Sequence, residues 1–276
     1  MGRRCRPPRA PSTPLSWPKY PGVRGSAPVA LRLPERPGIA HTAPMIGILM
    51  LDTRFPRPPG DAGNPATWPF PVTIRRVPGT TPEAAVRRDP DALLDAFAAE
   101  GRALVAGGCA GLATTCGFLA PLQSRLAAAC GVPVVASALT LCAPLAATVP
   151  GGRVGILTIE AASLTPAHLH AARVPEGTPV EGLDGTHMAD RILCDSPDLD
   201  VARARVEMVA AARRLAARAP LGGIVLECAN MGPYAADVAA ATGLPVHSIL
   251  TAVGWLHAGL RPSAWAHPPG VPLVTR

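Results

Sequence analysis

Residues 112–118 read LATTCGF and residues 224–231 read IVLECANM. Each is a short apolar run of β type that ends in a cysteine, followed by a small residue and a helix-like stretch. The match continues downstream: Gly131-Val132-Pro133-Val134 begins 15 residues after Cys116, and Gly243-Leu244-Pro245-Val246 begins 15 after Cys228. It also continues upstream, where Ile46-Gly47-Ile48-Leu49 starts 70 residues before Cys116 and Val154-Gly155-Ile156-Leu157 starts 74 before Cys228. The chain therefore reads as an internal repeat with its two cysteines at equivalent places.

Working outward, short apolar runs at 46–51, 71–77, 111–115 and 133–137 form one set, and those at 153–159, 222–227 and 244–249 form another. Alanine-rich helical stretches such as 91–107 and 201–219 separate them. This alternation predicts parallel sheets with right-handed crossovers. The expected fold class is α/β, with two pseudo-symmetric domains, each a parallel sheet flanked by helices, and the active site in the cleft between them. The expected divisions are a disordered basic, proline-rich extension over 1–44, a first α/β domain over 45–148, a second over 149–250, and a C-terminal helix and tail over 251–276 that packs back on the first. In open α/β sheets ligands bind beyond the carboxyl ends of the strands, so Cys116 and Cys228 should approach one ligand from opposite sides.

Composition removes several classes. The net charge of +7 over 276 residues invites a nucleic-acid partner, but residues 1–44 hold eight basic residues against Glu35 and carry all of it. From Met45 onward, 26 − 8 = 18 basic residues face 19 − 1 = 18 acidic ones, so the body is neutral and no nucleic-acid partner is expected. Met45 opens directly into a strand-like run and reads as the functional start. Seven cysteines in no paired or metal-ligand spacing predict neither a disulfide framework nor a metal site, which fits a reducing, cytoplasmic setting. The uncharged stretch 126–152 is broken by Pro133, Pro144 and Pro150, so it reads as a buried strand and helix and not as a membrane span. Lys19 is the only lysine, so the body holds none for a pyridoxal phosphate Schiff base or a phosphate loop, and no cofactor is expected.

A cysteine between a strand end and a helix start is favoured as thiolate by the helix dipole and free N–H groups. Two thiols flanking a carbon acid remove a proton from one face and deliver one to the other. Cys109, Cys130, Cys142 and Cys194 read instead as small buried hydrophobes.

With these motifs in place, the stretches MIGILMLDTRFPRPPGDAGNPATWPFPV, GLATTCGF, RVGILT and IVLECANMGPY resemble the aspartate/glutamate racemase superfamily, which includes hydantoin racemases, maleate isomerases and arylmalonate decarboxylases. The resemblance covers roughly residues 45–260. It implies a cofactor-independent enzyme, a racemase or epimerase acting beside the carboxylate of a small-molecule substrate, with Cys116 and Cys228 as the acid/base pair. It further implies that Thr115, Gly117, Phe118, Ala229 and Asn230 contact the substrate carboxylate and that Asp52 stands where glutamate racemases have an aspartate-serine pair, with Thr53 in place of the serine. Ser137 and Thr158 end strands on the same edge and line the cleft or cap helices. Arylmalonate-decarboxylase-like or maleate-isomerase-like chemistry and a non-catalytic sensor remain alternatives, and the sequence leaves self-association open.

The second site reads Glu227-Cys228-Ala229-Asn230 where classical glutamate racemases have Gly-Cys-Thr-His, which argues against glutamate as substrate. The proline-rich stretch 52–70 is too long for an ordinary βα turn and is expected to be a lid carrying Asn64, Thr67 and Trp68 over the substrate. His168 and His170 are expected on a solvated helix face.

Overall fold

The computed structural model describes residues 45–262. The expectations for residues 1–44, and for the tail beyond 262, lie outside the described residues. Strands β1 (Met45–Leu51), β2 (Val72–Val77), β3 (Cys109–Thr114) and β4 (Val134–Val135) pair in the order β2-β1-β3-β4. Strands β5 (Val154–Thr158), β6 (Val180–Gly182), β7 (Gly223–Leu226) and β8 (Val246–His247) pair in the order β6-β5-β7-β8. Every pairing is parallel. The sheets are covered by helices, so the inner strands β1, β3, β5 and β7 are apolar and buried almost throughout.

The repeat is exact in register through its second half. Cys116 and Cys228 are 228 − 116 = 112 residues apart, and each lies two residues beyond its strand, β3 or β7. Each precedes a 3-10 segment, Gly117–Leu122 or Ala229–Tyr234, that runs into an eight-residue helix, Gln123–Cys130 or Ala235–Thr242. Both helices stop at a glycine with φ 70°, Gly131 and Gly243, a left-handed conformation that closes the helix and that other residues adopt only with strain. The G-[VL]-P-V frame recognised in the sequence is thus a helix stop followed by a short edge strand.

After β8 the chain returns. The helix Ile249–Leu260 packs on β3 and β4, with Leu256 and Leu260 over Gly111 and the His257 ring stacked 3.9 Å from Phe70. His168 departs from expectation: it is buried, caps Thr165 and meets the Phe118 ring edge-on at 5.3 Å, because its helix packs beneath the first cysteine segment. Among the described residues no helix is long and apolar enough to cross a membrane.

The glycines of the two IGIL/VGIL motifs have one purpose. A Cβ at Gly47 would come within 2.6 Å of Leu112 and 2.9 Å of Leu104; at Gly155 it would lie 2.7 Å from Leu221 and 3.0 Å from Leu215. The strands use glycine so that side chains from the neighbouring strand and helix can close over them. Gly47→Val and Gly155→Val should each cost about 1–3 kcal/mol through overpacking. Each should lower Tm by several degrees in calorimetry, with the two halves responding alike; an unchanged Tm would refute the packing account.

Candidate active site

Cys116 and Cys228 lie at the carboxyl ends of β3 and β7 and line one cavity with about 320 Å³ of non-atom space, its open mouth included. Leu51, Phe55, Val86, Phe118, Ile159 and Ile192 make its wall mainly apolar; Arg57, Thr115, Glu227 and Asn230 supply the polar groups. Both thiols are 7% exposed. Burial, and next the charge of Glu227, push the Cys116 thiol up to about 12, while the Phe118 amide, Arg57 and the Leu119 amide pull it back. Cys228 is also held well above its ordinary value, first by burial and then by Glu227.

The loop between β1 and β2 builds one side of the site. Asp61, 1% exposed, accepts from Arg57 Nη1 at 2.8 Å and from the Gly63 amide at 2.7 Å through Oδ1. Its Oδ2 accepts from Asn230 Nδ2 at 2.6 Å, and Asn230 Oδ1 in turn accepts from the Cys228 thiol at 3.2 Å. Arg57 Nη2 also donates to Thr53 Oγ1 at 2.9 Å, and the guanidinium lies 4.6 Å from the centre of the Phe55 ring. The backbone approach is close enough that a Cβ on Gly232 would strike the Gly60 carbonyl oxygen.

The structure distributes the sequence-derived candidates unevenly. Cys116, Cys228, Thr115, Phe118 and Asn230 all line the cavity, and Thr115 Oγ1 is buried there with no hydrogen-bond partner. Gly117 packs against Glu227: a Cβ there would collide with Oε1 and lie 2.6 Å from the Glu227 carbonyl oxygen. Thr158, buried, donates to Glu227 Oε2 at 2.8 Å. Ser137 is buried and caps the next 3-10 turn through the Leu139 amide, and Ala229 is buried behind the cavity lining. Asp52 lies outside the lining, exposed, 3.8 Å from Arg76. Asn64, Thr67 and Trp68 are turned into the loop: Asn64 bridges the Arg57 carbonyl and the Ala66 amide, Thr67 donates to the Asp61 carbonyl, and Trp68 donates to the Ala62 carbonyl.

Sequence reasoning missed Arg57, Asp61 and Glu227. Arg57 and Asp61 are four apart in a loop, and an i,i+4 opposite-charge pair in so proline-rich a stretch was an available signal. Glu227 had one too, a lone acid at the end of an apolar strand beside a cysteine. Among the described residues no cluster of three or more His, Cys, Asp or Glu is placed to hold a metal ion.

No family model matches the chain. By sequence it is 30% identical over 232 residues to dimethylsulfoniopropionate lyase 5 of Emiliania huxleyi (strain CCMP1516), covering 79% of this chain and 45% of that protein. It is 28% identical over 233 residues to dimethylsulfoniopropionate lyase of Durusdinium sp. clade D, covering 81% and 76%. The chain thus spans less than half the length of the first relative and about three quarters of the second. By structure it matches unliganded arylmalonate decarboxylase with a TM-score of 0.53 at 18% identity, covering 82% of this chain and 96% of that one. It matches allantoin racemase from Klebsiella pneumoniae with a TM-score of 0.54 at 17% identity, covering 78% and 86%. The chain therefore shares the fold of these solved proteins, two parallel four-stranded sheets flanked by helices.

Burial lifts the Glu227 carboxyl to about 7, against the hydrogen bond from Thr158 and the nearby Ile159 and Gly117 amides, neither of which reaches Oε1 in hydrogen-bonding geometry. The folded chain therefore binds this proton more tightly than the unfolded one. Its contribution to stability is complete below pH 4.5 and is lost as pH rises through 7. That loss is on the order of 3 kcal/mol. In denaturant unfolding at pH 5 and pH 8, Glu227→Gln should gain on wild type by about this amount as pH rises; a difference independent of pH would refute it.

Proposed function

We propose that this protein is a cofactor-independent enzyme that takes a proton from the carbon beside a substrate carboxylate, and that its reaction is elimination of dimethyl sulfide from dimethylsulfoniopropionate. One observation carries the reading: Arg57 and the two cysteines converge on a mostly apolar cavity whose lining includes a single carboxyl group, Glu227. A substrate with a carboxylate at one end and a methylated cation at the other matches that distribution. The similarity to two lyases of this name supports the same substrate.

In this reading the substrate carboxylate meets the guanidinium N–H groups of Arg57 that Asp61 and Thr53 leave open. The sulfonium end lies among apolar and aromatic side chains away from Arg57, Phe118 included, which attract cations without hydrogen bonding. The cation also alters the thiols. Burial and Glu227 hold Cys116 up to about 12, and a bound positive charge offsets both effects and favours thiolate. The Cys116 thiolate then takes the α-proton, the C–H electron pair becomes the new carbon–carbon double bond, and the Cβ–S bond breaks with its pair going to sulfur. Acrylate and dimethyl sulfide leave, and Cys116 returns its proton to solvent.

A second reading, a racemase or epimerase, is favoured by the equivalent placement of both cysteines around one cavity. Glutamate suits it poorly, because Asp52, at the position of the aspartate-serine pair of glutamate racemases, lies outside the cavity lining, and a hydantoin-like ring suits it better. The two separate in one experiment. Purified protein given dimethylsulfoniopropionate should release dimethyl sulfide by gas chromatography. Cys116→Ser should abolish release, and Arg57→Lys, which keeps the charge but loses the planar fork, should raise KM about tenfold. Absence of dimethyl sulfide, with solvent deuterium entering a chiral hydantoin as it inverts, would replace the first reading by the second.

A further inference from the structure

The repeat that makes the cysteines equivalent in position makes their surroundings unequal. With the offset of 112, Phe118 in the first half corresponds to Asn230 in the second, and Thr115 to Glu227. Cys116 therefore has an aromatic ring two residues on, whereas Cys228 has an amide whose oxygen lies 3.2 Å from its sulfur. The orientation of that amide is not free. Its nitrogen donates at 2.6 Å to Asp61 Oδ2, and Asp61 is a carboxylate with its other oxygen engaged by Arg57 Nη1 and the Gly63 amide. A carboxylate only accepts, so Asn230 must present NH₂ to Asp61 and its oxygen to Cys228. An oxygen facing sulfur at this distance accepts S–H and repels a thiolate.

We propose that Asp61 is a positioning residue that fixes which cysteine keeps its proton: by holding Asn230 it keeps Cys228 a thiol and leaves Cys116 as the base. The charged and titratable groups around Cys228 act the same way or are already paired. Glu227 beside it, Cys116 across the cavity and Asp61 in the loop all disfavour a second negative charge there, and the nearby cation, Arg57, is engaged by Asp61. Around Cys116 two backbone amides, Phe118 and Leu119, and Arg57 favour the anion, whereas around Cys228 one backbone amide, that of Asn230, does so. The assignment rests on the proton-abstraction reading only for its use in catalysis. Proton removal is then confined to the face that Cys116 covers.

The test reads the thiols directly and needs no substrate. Alkylation of each cysteine by iodoacetamide is followed by peptide mass spectrometry at pH 9 on the full chain. Both thiols are largely protonated there, so each rate scales with its thiolate fraction, and the ratio of the Cys228 rate to the Cys116 rate reads their relative acidity. In the wild type Cys116 should react faster than Cys228. In Asp61→Asn the amide is released and the ratio should rise about tenfold or more. Asn230→Ala keeps the Asp61 charge and removes only the accepting oxygen, so the same rise there separates orientation from charge, and it suffices should Asp61→Asn fail to fold. A looser loop opens the one cavity to both thiols and leaves the ratio near its wild-type value. Cys228 reacting faster in the wild type, or an unmoved ratio in Asn230→Ala, would overturn the proposal. If the ratio behaves as expected but no dimethyl sulfide is released, the assignment stands and the substrate reading fails.

Discussion

The buried bridge Arg57–Asp61–Asn230 is the constraint on which the site depends. It joins the loop after β1 to the segment after β7, and so ties the first half of the repeat to the second across the cavity. Asp61 is 1% exposed and the Arg57 side chain 9%, so each charge is largely removed from solvent. Such a pair adds little net stability, but breaking it leaves an uncompensated buried charge at a cost of about 3–5 kcal/mol. The loop is therefore held in one position. Its internal hydrogen bonds from Asn64, Thr67 and Trp68 fix its shape, and Gly60 and Gly232 let its backbone come close enough for the bridge to form.

What the loop brings to the cavity is one cation, Arg57, into a space that otherwise holds two thiols, a buried carboxyl group and apolar walls. In so buried a site the charges must balance locally, because low-dielectric surroundings screen them little. The raised positions of Cys116, Cys228 and Glu227 are three expressions of that condition, each with burial as the first cause. A ligand with its own positive charge changes the balance and makes a thiolate accessible. Position in this protein comes from the repeat, and chemical difference comes from where the repeat is broken, at Thr115 against Glu227 and Phe118 against Asn230.

Solved proteins that share the fold include a decarboxylase and a racemase, so the fold leaves the reaction open. The parts that narrow it here are local: the loop with Arg57 and Asp61, and the Glu227-Cys228-Ala229-Asn230 segment. A parallel sheet sets where strand ends lie to within an ångström or so, while a loop can be exchanged without disturbing it.

The sequence by itself determined the architecture and the cysteine pair. Two spacings of 15 residues and two IGIL/VGIL strands suffice, because strand and helix lengths and the glycine that stops a helix are local properties of the chain. It also determined that Asn230, Thr115 and Phe118 stand near the cysteines, since neighbours along a strand exit stay neighbours in space. It did not determine that Asp52 faces solvent, or that Asn64, Thr67 and Trp68 fold into their own loop. Nor did it assign Asp61 to Asn230, 230 − 61 = 169 residues away. Only the tertiary structure decided these, because a buried charge takes whichever partner the packing brings to it, and that partner need not be near in the chain.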